Sequence, residues 1–420
     1  MHVRRLKCMR CGAHHEPNDH IYVCSCHGPD GILDVEYDYA AISASCRREE
    51  LQDGQGMWRY RPLLPLRADT PVPPLRVGAT PLIQADRLAA ELGLHRLWVK
   101  DEGVQPTGSL KDRASAMAVA KAREVGAEII CTASTGNAAA ALAGLCASDG
   151  LPCVIFVPES APPAKVAQML AYGATVLLVE GDYDQAFDLC LQAADHFAWY
   201  NRNTAFNPYM AEGKKTVSLE ICEQRGWQAP DVVMVSVGDG CILAGVHKGL
   251  SDLLALGWID KMPRLLGVQA AGSNYLAEAW ARGEDVNDKT AICPGTVADS
   301  LSVGLPRDRL KAMRAIERTG GAFVQVDDEA ILQAIPTLAR LTGIFAEPAG
   351  AAVVAGLKVA ASQGLVTADD DIVIINTGNG LKDVGSARRS VTLAGDSAYM
   401  VAADLSAVEA LGLAGAGGAK

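Results

Sequence analysis

Apolar residues in this 420-residue chain fall into short runs punctuated by Gly, Pro, Asn and Asp. From about residue 82 those runs alternate with longer stretches of helical periodicity. Runs rich in Val, Ile and Leu predict strands at 96–100, 128–132, 154–157, 176–179, 231–237, 265–269 and 372–376. Helical stretches lie between most of them, including 161–171, 183–197 and 215–225. Such alternation argues for an α/β protein with parallel sheets covered by helices on both faces. Residues 47–77 depart from the pattern, being charged at 47–50 and then rich in proline (Pro62, Pro65, Pro71, Pro73, Pro74), so they read as a linker without regular structure. The Gly/Ala-rich tail from 412 onward is expected to be disordered, and there is no internal repeat.

Three strand-to-helix corners carry candidate chemistry. The first, Gln105-Pro106-Thr107-Gly108-Ser109-Leu110-Lys111-Asp112-Arg113, is a tight turn with Ser109 placed to cap the helix that follows. Lys111 then sits in a first helical turn, where the helix dipole disfavours a cation, so stability does not explain it. The second corner is Ser134-Thr135-Gly136-Asn137 and the third Val237-Gly238-Asp239-Gly240-Cys241. Glycine-rich helix starts expose backbone N–H groups to anions. The third corner is not a dinucleotide fingerprint, because Leu243 stands where its third glycine belongs. A lysine amine beside a phosphate cradle, at the carboxyl ends of strands, suggests a Schiff base with pyridoxal 5'-phosphate (PLP).

The stretch 106–113 resembles the PLP-lysine motif of the threonine synthase family, within fold type II PLP enzymes of the tryptophan synthase beta-like superfamily. Ser134 to Asn137 is similar to that superfamily's asparagine loop, Asn207-Pro208 with Glu212-Gly213-Lys214-Lys215-Thr216 to a family stretch, and Thr377-Gly378-Asn379-Gly380-Leu381-Lys382-Asp383 to its C-terminal motif. The resemblance runs in order from about Gly78 to Asp383. It implies two α/β domains of parallel or mixed sheet with the cofactor in the cleft between them. Residues 78–111 and 208–400 would form the large PLP domain, 112–207 a small mobile domain and 401–420 a tail.

The resemblance also implies roles. Lys111 would hold PLP and act as base at Cα, Asn137 would bond the ring hydroxyl, and Thr377 would face the ring nitrogen. Gly238, Asp239, Gly240, Cys241 and Ile242 would cradle the phosphate, while Ser134 and Thr135 would take the substrate carboxylate. Asp239 and Cys241 depart from the family's loop, and a carboxylate aimed at a phosphate would repel it, so Asp239 must turn outward or accept from a backbone N–H. The implied reaction removes phosphate from O-phosphohomoserine and adds water to give threonine. It needs a second anion site, for which Ser109, Arg113, Lys214 and Lys215 are the candidates. Three alternatives stay open: a threonine or serine dehydratase, a phosphoserine-dependent β-replacement enzyme of cysteate synthase type, and a non-catalytic PLP-binding paralogue. A homodimer is the expected assembly.

Composition narrows the remaining classes. The formal net charge is −11, and no long basic stretch suggests a nucleic-acid surface. No segment approaches 18 uninterrupted apolar residues, and the basic start runs into Cys8 and not into a signal core, so neither membrane nor export is expected. Twelve cysteines without a signal peptide point to reduced thiols in the cytoplasm. Four of them, Cys8-x-x-Cys11 and Cys24-x-Cys26, are interleaved with His14, His15, His20 and His27 in the segment 1–46. Two close pairs on a strand-rich segment suit a structural zinc ribbon held by Cys8, Cys11, Cys24 and Cys26, with His27 a substitute for Cys26.

Overall fold

A computed structural model describes all residues except 18–20, 52–55, 135, 162, 182 and 413–420. The tail expected to be disordered therefore lies almost wholly outside the described residues. The described residues form three sheets. The largest has six strands in the spatial order Ala322–Val326, Arg264–Ala270, Val232–Ser236, Asp371–Asn376, Arg96–Asp101 and Leu82–Gln84. All pairs are parallel except the last, where the edge strand Leu82–Gln84 runs antiparallel.

Both faces of this sheet are covered, which is why its strands are apolar at successive positions. Val233, Val235, Val373 and Ile375 pack towards the helices Thr216–Gln224, Cys241–Ala255 and Arg309–Thr319. The alternate residues Val232, Met234, Ile372 and Ile374 pack towards Asp86–Glu91, Asp328–Thr342 and Pro348–Ser362. A second, parallel sheet has the order Thr175–Val179, Cys153–Pro158, Ile130–Ala133 and Tyr200–Asn201. Its inner face meets the helices Lys111–Glu124 and Asn137–Asp149, and its outer face meets Tyr183–His196.

The N-terminal sheet is small and antiparallel, in the order His14–His15, Val3–Cys8, Leu33–Tyr37. Its residues Leu6, Leu33, Val35 and Tyr37 are buried in the same core as the helix Lys111–Glu124. The proline-rich stretch differs from expectation. It forms short 3-10 turns at Arg48–Glu50 and Gly56–Leu63 and buries Met57, Trp58, Tyr60, Leu64 and Leu66. Proline excludes long helices and central strands there, yet its neighbours are large apolar residues, so the segment packs as part of the core and is not a free linker.

Candidate active site

The corner bearing Lys111 is built by local chemistry. Gly108 adopts φ +86°, a left-handed conformation, and Asp112 accepts the Thr107 N–H at 2.7 Å and also the Thr107 hydroxyl. Burial pushes the Asp112 carboxyl up to about 6, against those hydrogen bonds. The corner is then clamped to the C-terminal motif. Leu110 N–H donates to the Thr377 carbonyl at 3.0 Å, and Asn379 N–H donates to the Gly108 carbonyl at 2.9 Å. Ser109 does not cap the helix Lys111–Glu124; Leu110 holds that position without a side-chain bond. The Ser109 hydroxyl is instead buried with no partner among the described residues.

Lys111 keeps part of its side chain open and makes no hydrogen bond among the described residues. Burial, reinforced by the Lys214 ammonium and opposed by Glu347, brings its amine down to about 8. Asn137 starts the helix Asn137–Asp149 and donates its amide to Glu347 Oε1 at 2.7 Å, with a longer bond of 3.3 Å to Ser300 Oγ. Burial raises the Glu347 carboxyl to about 7, although Lys111 and Lys382 pull it down. Ser134 Oγ accepts the Gly136 N–H at 3.2 Å at the entry to the same helix. Thr135 lies outside the described residues. Thr377 is buried at the end of the strand Asp371–Asn376.

The glycine corner precedes the helix Cys241–Ala255, with Gly240 at φ +88°. A Cβ on Gly238 would come within 2.9 Å of the Ser300 carbonyl oxygen, so the loop runs close to its neighbour. Asp239 turns its carboxylate onto the Arg307 N–H at 3.2 Å. The Cys241 thiol is directed to Asp308 Oδ2 at 3.0 Å, and burial pushes it up to about 11. Asp239 and Cys241 are thereby occupied by protein neighbours, and the backbone of Gly238, Gly240 and Ile242 is left to meet an anion.

The four candidates for the second anion site separate. Arg113 is fully buried and donates to Glu102 at 2.7 and 2.8 Å and to Glu220 at 3.0 and 2.7 Å. Lys100 adds an ion pair to Glu220 at 2.9 Å. Burial works against the Glu220 charge, but Arg113 and Lys100 hold its carboxyl well below the usual range. Lys215 is likewise consumed, paired with Glu212 and Asp252 at 2.6 Å each and set 4.1 Å from the Tyr37 ring centroid. These two cations support the frame and face no cleft.

Lys214 is different. It is buried, bonds only Thr204 Oγ1 at 2.9 Å, and has no carboxylate partner among the described residues. Arg202, buried to the same degree, bonds Ser115 Oγ at 3.2 Å and leaves Nη2 without a partner among the described residues. Burial brings Arg202 down to about 10. Lys214 and Arg202 are electrostatic neighbours of each other, of Cys241 and of Asp239. The helix Tyr209–Lys214 approaches the helix Cys241–Ala255 so closely that a Cβ on Gly245 would be 2.8 Å from Lys214 Cβ. Two buried cations without a carboxylate partner among the described residues, beside a glycine-rich helix start, fit a phosphate dianion. With the Lys111 amine beside them and not hydrogen-bonded among the described residues, the residues fit PLP.

A cavity lies at the mouth of this space, lined by Gly136, Asn137, Lys165, Ser300, Glu347 and Lys382 among others. Lys382 Nζ donates to Gln168 Oε1 at 3.2 Å, and its Cε would be 3.1 Å from a Cβ on Gly108. Lys165 pairs with Asp299. Of these residues, Lys382 was present in a recognised motif without an assigned role, and Arg202, Glu347 and Lys165 carry no turn or spacing signal at all.

Residues 74–378 match the family described as pyridoxal-phosphate dependent enzyme. The chain is 39% identical to a threonine synthase of Methanocaldococcus jannaschii over 91% of this chain and 94% of the relative. It is 40% identical to a threonine synthase of Methanosarcina acetivorans over 90% of this chain and 92% of that protein. Solved folds that resemble it include a processed threonine deaminase isoform 2 from Solanum lycopersicum, with TM-score 0.64 and 23% identity over 75% of this chain and 83% of that one. Maize serine racemase aligns with TM-score 0.61 and 24% identity over 75% of this chain and 92% of that one. The chain belongs to the PLP-dependent enzymes of fold type II and, among them, to the threonine synthase family. It is a PLP-dependent lyase of threonine synthase type.

Proposed function

We propose that the substrate is O-phosphohomoserine and that the products are threonine and inorganic phosphate. The observation that carries this reading is the presence of cations without a carboxylate partner at two separate places around Lys111. Among the described residues, Lys214 and Arg202 lie at the glycine corner, and Lys382 lies at the mouth of the cleft, where Lys165 is already paired with Asp299. An amino acid with a phosphorylated side chain brings a second dianion in addition to the cofactor's phosphate, and each needs its own donors. On this reading Lys214, Arg202 and the N–H groups of Gly238 to Ile242 hold the cofactor phosphate. Lys382 and the unpartnered Ser109 hydroxyl meet the substrate phosphate, and Ser134 with the N–H groups after Gly136 meets the substrate carboxylate. Asn137 orients the ring, and Thr377 faces its nitrogen.

PLP, when bound, supplies a sink for the electron pair left at Cα. Lys111 anchors it and, once free, takes the proton from Cα at Nζ, which its lowered basicity allows near neutral pH. On this reading the same amine would carry protons at Cβ and Cγ while the Cγ–O bond to phosphate breaks. One water then adds at Cβ, its second hydrogen balancing the proton returned to carbon, so that substrate plus water gives threonine plus phosphate. Glu347, bonded to Asn137, holds that amide in place.

Residues 112–207 are the part we propose to move when the cleft closes, against 78–111 and 208–400, because they contain the smaller sheet. Among the described residues no helix is long and apolar enough to cross a membrane. A cytoplasmic homodimer completes the reading; all twelve cysteines are free thiols, in keeping with a reducing compartment. The test is phosphate release and product analysis with O-phosphohomoserine, O-phosphoserine and free threonine in parallel. Threonine and phosphate from the first substrate are expected. Efficient 2-oxobutyrate formation from threonine, with no phosphate from either ester, would overturn the reading in favour of a dehydratase.

A further inference from the structure

Among the described residues the reaction leaves a cluster of metal-ligating side chains unused, in the N-terminal segment. After the strand Val3–Cys8 the chain turns sharply, with the Gly12 N–H donating to the Cys8 carbonyl at 3.0 Å and Gly12 at φ +75°. This turn spaces Cys8 and Cys11. A second turn opens at Cys24, where the His27 N–H donates to the Cys24 carbonyl at 3.1 Å. The sulfurs of Cys8 and Cys11 and one His27 ring nitrogen all lie within 4.8 Å of one another. Cys11 Sγ is 3.9 Å from Cys24 Sγ. Thiolates about 2.3 Å from a tetrahedral zinc ion stand roughly 3.8 Å apart, so the separation suits a shared ion. A disulfide would need about 2.0 Å.

Two further observations select the fourth ligand. His27 Nε2 is buried without a partner among the described residues, a state that is costly for an imidazole nitrogen unless something binds the ring. His27, and not Cys26, also belongs to the group whose ligand atoms converge with those of Cys8 and Cys11. We propose that Cys8, Cys11, Cys24 and His27 hold one zinc ion, and that Cys26, which the spacing had suggested, is not a ligand. The two halves then share one spacing, Cys8-x-x-Cys11 and Cys24-x-x-His27. Four protein ligands leave no open position, so the site is structural. Three thiolates and a neutral imidazole around Zn²⁺ carry one net negative charge, and Arg314 brings a positive one by donating to the Met9 carbonyl at 2.6 Å inside the first turn.

The ion would fix the loops next to residues that dock the sheet on the body. Lys311 donates to the Leu33 carbonyl at 2.7 Å, Lys248 to the Val35 carbonyl at 2.6 Å, and the Tyr37 hydroxyl to Glu212 at 2.5 Å. The experiment uses full-length holoenzyme produced with zinc supplied and dialysed against metal-free buffer. Elemental analysis should find about one zinc per chain, and X-ray absorption at the zinc edge should fit three sulfurs and one nitrogen. Cys26→Ala should keep the metal, while His27→Ala should lose most of it and retain PLP. Because a ligand variant can misfold, the absorption measurement on unaltered protein decides independently. Metal-free protein, a four-sulfur shell, or loss of zinc in Cys26→Ala with retention in His27→Ala would each overturn the proposal.

Discussion

Lys111 and Glu347 are displaced in opposite directions by the same burial, the amine down to about 8 and the carboxyl up to about 7. In the cofactor-free protein, Glu347 binds protons more tightly folded than unfolded. Stability from this group therefore falls as pH rises through the window from the ordinary carboxyl range to about 7, and stays low above it. Lys111 has the reverse sense: its cost is present below about 8 and fades as pH rises towards the ordinary lysine range. Glu347→Gln should accordingly gain on the parent as pH goes from 5 to 7.5, read as a growing difference in melting temperature of the cofactor-free proteins. Lys111→Ala should bind PLP without covalent attachment, and borohydride should then fix no cofactor on the chain; a full-occupancy lysine adduct elsewhere would sink its assignment. On the proposed reading, Lys382→Ala removes a charged contact to the substrate's phosphate. At about 3 kcal/mol, kcat/KM for O-phosphohomoserine should drop by roughly two orders of magnitude with PLP affinity unchanged.

At the scale of elements, most strands were legible because burial on both faces makes them continuous apolar runs, while Thr175–Val179 is apolar although largely exposed. Helix 183–197 was expected and Tyr183–His196 is seen; the strand at 265–269 extends to Arg264–Ala270. Ala322–Val326 escaped notice because it is short and carries Gln325 at an exposed position, and Tyr200–Asn201 has only two residues. The corners at Lys111, Asn137 and Gly238 announced themselves through Pro, Gly and Asn, whose conformational demands are local. Arg113 and Lys215 did not announce their distant partners, because the pair of Arg113 with Glu220 spans 107 residues and that of Lys215 with Asp252 spans 37, which leaves no local pattern. Lys215→Ala should therefore act on stability, since breaking a buried pair and stranding Glu212 and Asp252 costs about 3–5 kcal/mol. Its thermal midpoint should fall well below that of Lys382→Ala. At the glycine corner, Gly240→Ala would place a Cβ 2.8 Å from that of Ala312 at φ +88°. The left-handed conformation alone costs an L residue about 1–2 kcal/mol, so PLP affinity should weaken about tenfold or more in a fluorescence titration.

Across the whole molecule, the six-stranded sheet takes strands from both ends of the chain. The strand bearing the Lys111 corner, Arg96–Asp101, lies against Asp371–Asn376, and Asn376 Nδ2 donates to Asp101 Oδ1 at 2.8 Å across 275 positions of sequence. A chain ended at residue 370 should then lack the strand that joins Arg96–Asp101 to Val232–Ser236 and should show no visible cofactor band, whereas the smaller sheet, complete by Asn201, has all its strands. This arrangement sets a schedule during synthesis. At about 5–20 residues per second, roughly 15–55 s pass between the emergence of the lysine corner and that of the strand that braces it. Over that interval the nascent chain exposes an apolar strand edge and an amine with no fixed surroundings, and PLP has no finished cradle to enter. Cofactor capture is thereby a late, near-terminal event, and the growing polypeptide depends on chaperones, or on the early closure of the smaller sheet, to reach it without aggregating.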